Sequence, residues 1–145
     1  MTEHDVASLA EQAAPATAIG PYLAAELGDD SWRDCHVTLV SGGKSNLTFY
    51  VSSAAGEVVV RRPPLSTVLP TAHDMRREHR VMTALASTDV PVPQTLALCT
   101  DDAVLGAPFY VMERVRGHIV RDRLPAGYAD EPAQRHAIGI GFIDV

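Results

Sequence analysis

A loop of glycines and small polar residues stands between two strand-like runs and could cover a phosphate group. It consists of Ser41, Gly42, Gly43, Lys44, Ser45 and Asn46. A Walker A loop needs a glycine where Thr38 stands and opens a helix, whereas the β-branched and aromatic run 47–51 predicts a strand. A glycine-rich hairpin can still present backbone N–H groups to phosphates. An ordinary hairpin turn with a solvated lysine is the alternative.

A second set of residues brings together a strand-borne cation and a helix-borne carboxylate. Arg61 and Arg62 end the third strand-like run, and because side chains alternate along a strand, one of them points toward whatever the sheet covers. Beyond the first turn, Glu78 is the only charged residue on the apolar face of its helix, where a carboxylate is costly unless a cation accompanies it. We therefore expect Arg61 to pair with Glu78. The alternatives are a purely structural ion pair and a Glu78 that reaches water.

A third candidate is the segment 109–117, in which an apolar strand turns abruptly into alternating charge and ends at Gly117. A strand that leaves the core for a solvent-exposed connector has this pattern in any fold. In a nucleotide cleft the same segment would offer backbone donors and acceptors to the edge of an adenine ring.

The composition excludes several classes of protein. The 145 residues are 46% hydrophobic, enough for one domain with a core, and their formal charge of -6 disfavours binding to nucleic acid. Apolar runs are far shorter than the roughly 20 residues that span a bilayer, and the acidic N-terminus is unlike a secretory signal. We therefore expect a cytoplasmic protein that does not bind membranes. Cys35, Cys99 and the six histidines show no ligand spacing, so we expect no metal site in this chain.

The elements that must position these residues follow the order β-β-β-α-β-β. Apolar periodicity predicts two helices before them, one at 6–14 and one that ends near Gly28. Period-two patterns bounded by glycine, proline and polar turns predict antiparallel strands. These strands are expected at 36–40, 47–52, 57–62, 95–99 and 109–114.

The helix between the third and fourth strands has the clearest pattern in the chain. Thr71 and Asp74 resemble a capping pair at its start, and it is expected to run to about Ala86. One sector holds its apolar residues and Glu78, which predicts a dry face. The members of this sector are Met75, Glu78, Val81, Met82 and Leu85, and the opposite side carries Arg76, Arg77 and Arg80.

Taken together, these motifs resemble the aminoglycoside phosphotransferase and choline kinase-like family, which has a protein-kinase-like fold. The resemblance covers about residues 35–125 and rests on an ordered set of segments, namely 41–48, 60–64, 73–81, 90–93 and 108–117. Arg-Arg-Pro-Pro at 61–64 and Arg-Glu-His-Arg-Val at 77–81 particularly resemble the branch found fused to, or encoded near, acyl-CoA dehydrogenases.

The resemblance implies an α+β small lobe: a five-stranded antiparallel sheet with one packed helix, preceded by N-terminal helices and followed by the start of a helical large lobe. It also implies transfer of the γ-phosphoryl group of ATP, with Mg²⁺, to the hydroxyl of a small-molecule acceptor. Residues 41–46 would cover the phosphates, and Arg61, held by Glu78, would stand where most members have a phosphate-contacting lysine. Met112 would lie at the back of the adenine pocket, and the backbone of Glu113, Arg114 and Val115 would read the adenine edge.

One departure concerns catalysis. The His-Gly-Asp segment, its downstream Asn and the later Mg²⁺-binding Asp of the family do not occur in this sequence, so we expect the chain alone to be inactive. The expected organisation is an N-terminal helical extension at 1–34, a small lobe and hinge at 35–117, and a linker with the first helix of an incomplete large lobe at 118–145. That helix offers apolar surface for an association. A standalone nucleotide- or partner-binding module and a purely structural α+β domain are the alternatives.

Overall fold

The structure is a computed structural model that describes residues 3–40, 46–65, 74–118, 120 and 122–141. Its helices are α1 (Glu3–Ala13), α2 (Ala16–Leu27), α3 (Met75–Leu85), α4 (Asp102–Leu105) and α5 (Pro132–Gly141), with a 3₁₀ turn at Asp30–Arg33. Its strands are β1 (His36–Leu39), β2 (Leu47–Ser53), β3 (Gly56–Arg62), β4 (Thr95–Cys99) and β5 (Phe109–Glu113). The one-turn helix α4 and the 3₁₀ turn are not among the elements that the sequence predicted.

The five strands form one antiparallel sheet in the order β1-β2-β3-β5-β4. In its register, Thr48 lies opposite Arg61, which lies opposite Tyr110. Because directly opposed residues share a sheet face, these three side chains lie in one row across the centre of the sheet. The α+β fold with a β-β-β-α-β-β order, predicted from the sequence, is therefore confirmed.

The main hydrophobic core lies between the other face of the sheet and helices α1 and α2. The sheet contributes buried residues at alternating positions, as a half-buried strand requires. They include Phe49, Val51, Val58, Val60 and Val111. Ile19, Leu23 and Trp32 meet them from the helical side. Residues of the segment 1–34 thus belong to the same core as the sheet.

Two glycines shape α2, one by ending the helix and the other by letting it pack closely against the 3₁₀ turn that follows. Gly28 adopts a left-handed conformation (φ 70°) and ends α2 by donating its N–H to the carbonyl of Ala24. Gly20 lets α2 approach the 3₁₀ turn closely, since a Cβ at this position would lie 2.9 Å from the carbonyl oxygens of Trp32 and Arg33.

Arg62 is the cation that points into the core, and its residue is only 3% exposed. Its Nη1 donates to the carbonyl oxygens of Ala13 (2.6 Å) and Leu105 (2.8 Å), and its Nε donates to Pro63 (3.0 Å). Ala13 and Leu105 end helices α1 and α4, where carbonyls lack partners within the helix. Burial lowers the pKa of Arg62. This guanidinium therefore joins two helix ends to the last residue of β3.

Helix α3 differs from its prediction in two respects. Asp74 is the N-cap itself, because its carboxylate accepts from the N–H groups of Arg76 and Arg77; Thr71 lies outside the described residues. The predicted dry face is wrong as a description of burial: only Met75 is buried, and Val81 is 50% exposed. Periodicity gives the direction of this face correctly, but the face borders an open cleft instead of a closed core.

Helix α5 contributes little to the packed structure. Its residues are exposed, apart from the partly exposed Ile138, and Ile140 is 41% exposed. Among the described helices, none combines the length and the apolar character that crossing a membrane requires.

Candidate functional site

Glu78 is the centre of a hydrogen-bond network on the α3 side of the sheet. Its Oε2 accepts from Arg61 Nε at 2.9 Å and from the Tyr110 hydroxyl at 3.2 Å. Its Oε1 accepts from Asn46 Nδ2 at 2.8 Å. Both carboxylate oxygens are therefore held, and the ion pair between Arg61 and Glu78 that the sequence predicted is present.

The local sequence explains why these groups meet. Arg61 and Tyr110 are opposed on β3 and β5, and Asn46 directly precedes β2. Asp74 starts α3 so that Glu78 lies one turn inside the helix, on the side that packs against β4 and β5. One carboxylate therefore accepts hydrogen bonds from β3, from β5 and from the residue that precedes β2.

Arg61 is oriented so that part of its guanidinium group remains available. Nε is bound to Glu78, and Nη1 donates to the Thr48 hydroxyl at 3.2 Å. Within the described ranges Nη2 makes no hydrogen bond, and the side chain is 32% exposed. A guanidinium group fixed at one edge can offer its other edge to a phosphate or a carboxylate.

Arg61 borders a cleft of about 400 Å³ between α3 and the sheet. Four of the residues that line the cleft are apolar, three are charged residues from β3 and α3, and one is a tyrosine. They are Arg61, Arg77, Glu78, Val81, Met82, Pro93, Tyr110 and Met112. A cleft that combines apolar surface with an oriented cation is suited to a ligand with an apolar part and an anionic part.

Tyr110 is a member of the network that the sequence reasoning missed. Burial, with a smaller contribution from Glu78, raises its pKa to about 12 although Arg61 acts in the opposite direction. The hydroxyl is therefore protonated at neutral pH and donates a hydrogen bond to Glu78. Alternation along β5 could have revealed this residue, because Tyr110 lies two positions before Met112 and shares its face.

Side chains at and directly after the end of β5 are held by contacts with β2, β3 and the residue before β4. Glu113 accepts from the N–H of Gln94 at 3.0 Å. Arg114 donates to Glu57 at 2.7 Å and lies over the Tyr50 ring at 3.9 Å from its centroid, a cation–π contact. Arg116 also donates to Glu57. These contacts fix the chain on both sides of Val115, which is 64% exposed.

The predicted site residues are thus placed in two groups. Asn46, Arg61, Glu78 and Met112 lie at the cleft and its network, and residues 113–115 continue from β5 beside it. Ser41, Gly42, Gly43, Lys44 and Ser45 lie outside the described residues. In the part of the chain that the structure describes, no group of three His, Cys, Asp or Glu side chains could hold a metal ion.

The sheet, its packed helix and the Arg61–Glu78 pair define the small lobe of a kinase-like phosphotransferase. The chain belongs to the phosphotransferase enzyme family, whose model matches residues 36–145. This confirms the resemblance inferred from the sequence.

A solved Ralstonia eutropha protein assigned as an aminoglycoside phosphotransferase superposes with a TM-score of 0.64 and 36% identity. The match covers 83% of this chain and 33% of that protein. Mouse acyl-CoA dehydrogenase family member 10 is 41% identical over 126 residues, and human acyl-CoA dehydrogenase family member 11 is 40% identical over 114 residues. These matches cover 87% and 77% of this chain but only 12% and 14% of the two relatives, so the chain spans a small part of their length.

Proposed function

We propose that this chain is the ATP-binding portion of a small-molecule phosphotransferase, which transfers the γ-phosphoryl group of ATP to a substrate hydroxyl. The observation that carries the proposal is the orientation of Arg61, whose Nε and Nη1 are held by Glu78 and Thr48 beside the cleft. In a member of the phosphotransferase family, such a cation is suited to the α- and β-phosphates.

The remaining predicted residues would complete the nucleotide site. The backbone of 41–46 would cover the phosphates, Met112 would close the back of the adenine pocket, and the backbone of 113–115 would read the adenine edge. The contacts of Arg114 with Glu57 and Tyr50 support the role of 113–115, because they hold the middle residue of this backbone segment in place.

Mg²⁺ does not fit the described residues alone, because they hold no cluster of three suitable ligands. The sequence also lacks the His-Gly-Asp segment that would orient the hydroxyl nucleophile. We therefore propose that this chain alone does not transfer the phosphoryl group. Measured ATP turnover by this chain with any hydroxyl acceptor would contradict this statement.

The acceptor is proposed at the level of its class. Relatives that are named as acyl-CoA dehydrogenase family members favour a hydroxyacyl thioester over an aminoglycoside, choline or a sugar. A panel of these four classes, offered with ATP to a protein that includes this chain and a catalytic segment, would decide between them.

A second candidate is a nucleotide- or partner-binding module without catalysis. The exposed surface of α5, with Ile140 41% exposed, favours it because this helix could associate with another protein. The gene sequence beyond codon 145 discriminates the two functions. An in-frame continuation that lacks a His-Gly-Asp segment and a downstream Mg²⁺-binding Asp would exclude the phosphotransferase.

Isothermal titration calorimetry of this chain with ATP and Mg²⁺ tests nucleotide binding directly. We expect measurable heat from the wild type and a strong loss of affinity in Arg61→Ala. If the wild type gives no heat and Arg61→Ala leaves that result unchanged, Arg61 is a structural residue and the proposal fails.

A further inference from the structure

Asn46 holds an unusual position between the predicted phosphate-covering loop and the network around Glu78. It is the last residue of the loop, stands directly before β2, and is only 4% exposed. Its Nδ2 donates to Glu78 Oε1 at 2.8 Å, across 32 residues of sequence. An amide buried to this degree and bound to a carboxylate is poorly placed to contact a ligand in the cleft.

We propose that the side chain of Asn46 is a positioning group that ties the end of the loop to Glu78, and through Glu78 to Arg61, instead of a direct phosphate ligand. This inference rests on the proposed nucleotide-binding function and changes the role that the sequence alone suggested for Asn46.

The carboxylate geometry supports this role. A glutamate side chain has several rotatable bonds, so one hydrogen bond leaves it free to turn. Here Oε1 is held from the start of β2, and Oε2 is held by Arg61 and Tyr110. Together these contacts fix the plane of the carboxylate, and that plane sets the direction in which Arg61 points. The end of the loop and α3 are therefore constrained to move together.

Exchanging the amide and the carboxylate between positions 46 and 78 distinguishes a positioning role from direct phosphate contact. Asn46→Asp replaces the donor with a carboxylate of the same size, so the Glu78 carboxylate loses its bond and gains a like charge. Affinity for Mg-ADP should fall about tenfold, the equivalent of one charge-assisted hydrogen bond. In the Glu78→Gln background the introduced amide can donate to the introduced carboxylate, so adding Asn46→Asp should change affinity less than about twofold.

We expect calorimetry to show that Asn46→Asp lowers the affinity for Mg-ADP in the wild-type background. In the Glu78→Gln background the same substitution should leave the affinity nearly unchanged. If Asn46→Asp weakens Mg-ADP equally in both backgrounds, Asn46 acts on the phosphates and the inference is overturned. Both substitutions conserve side-chain volume, and circular dichroism of each variant controls for folding.

A second measurement needs no nucleotide. In the free chain, the NMR signal of the Arg61 Nε–H group should move in Asn46→Asp, because the Glu78 carboxylate that accepts from Arg61 loses its Asn46 donor. An Arg61 signal that stays in place in Asn46→Asp would overturn the inference. If the wild-type chain does not bind Mg-ADP, the proposed function fails, and this NMR comparison alone decides whether Asn46 positions Arg61 through Glu78.

Discussion

Replacement of the buried Arg62 with methionine should destabilise the protein strongly. Methionine can fill much of the space of the arginine stem but donates no hydrogen bond. The carbonyls of Ala13 and Leu105, which now accept from Arg62 at 2.6 and 2.8 Å, would lose this donor. Each unsatisfied buried acceptor costs roughly 1–3 kcal/mol. Relief from burying the guanidinium offsets part of this cost, so we expect a net loss of about 2–4 kcal/mol.

The adjacent Arg61 provides a matched control. Arg61→Met makes the same chemical change one residue earlier in β3, but its side chain is 32% exposed and its partner Glu78 is 30% exposed. Because water screens a pair of this exposure, the expected loss of stability is roughly 1 kcal/mol or less. The pair of variants therefore separates a buried cation from a partly solvated one within the same strand.

Urea unfolding followed by the fluorescence of Trp32 is a suitable assay, since this tryptophan is unique in the sequence and 5% exposed in the core. The transition midpoint should fall much further in Arg62→Met than in Arg61→Met, with similar slopes. Arg62→Lys should be intermediate, because one ammonium group cannot reproduce the guanidinium fork. An equal or larger loss in Arg61→Met would refute the reasoning.

Three further predictions concern other contacts. Glu57→Gln should release Arg114 and speed the hydrogen exchange of the backbone amides of 114–116. The free energy of unfolding should change by less than about 1 kcal/mol. Unchanged exchange would show that the contact with Glu57 does not fix this segment. Tyr110 has an ordinary pKa of 10 and a folded-state pKa raised to about 12, so its stabilising contribution is complete below pH 10 and is lost as the pH rises through about 12. Tyr110→Phe should therefore flatten the alkaline fall in stability in this window, and an unchanged pH profile of urea unfolding would contradict the assignment. Gly20→Ala should lower the free energy of unfolding by about 1–3 kcal/mol, because the Cβ of the alanine would lie 2.9 Å from two backbone oxygens. A neutral or stabilising result would show that the 3₁₀ turn can shift without cost.

The sequence predicted the Arg61–Glu78 pair because two short-range periodicities were sufficient. Alternation along β3 placed Arg61 and Arg62 on opposite faces, and the helical period placed Glu78 on the apolar side of α3. A carboxylate on that side requires a cation, and Arg61 lies on the preceding strand. The strand order followed from the same local patterns.

The role of Arg62 could not be predicted in this way. Its partners at the two helix ends are backbone carbonyls of residues that lie 49 and 43 positions away in sequence. Any residue has a carbonyl, so the sequence carries no chemical signal for such a contact. The bonds of Asn46 and Tyr110 to Glu78 depend likewise on long-range register, which local patterns do not determine.

The extent to which α3 is buried could also not be predicted from the sequence. Periodicity identifies the side that carries Val81 and Met82, but it does not state what covers that side. The same pattern describes a helix packed into a core and a helix that borders a cleft, and here Val81 is half exposed beside the cleft.

The most direct test of the central claim compares the affinities of this chain for ADP and adenosine. If Arg61 contacts phosphates, ADP should bind more tightly than adenosine, and Arg61→Gln should remove most of this difference while adenosine affinity stays unchanged. Loss of a charge-assisted contact predicts at least about a tenfold fall for ADP. Equal affinities in the wild type, or a difference that persists in Arg61→Gln, would contradict the assignment of Arg61 as the phosphate-contacting cation.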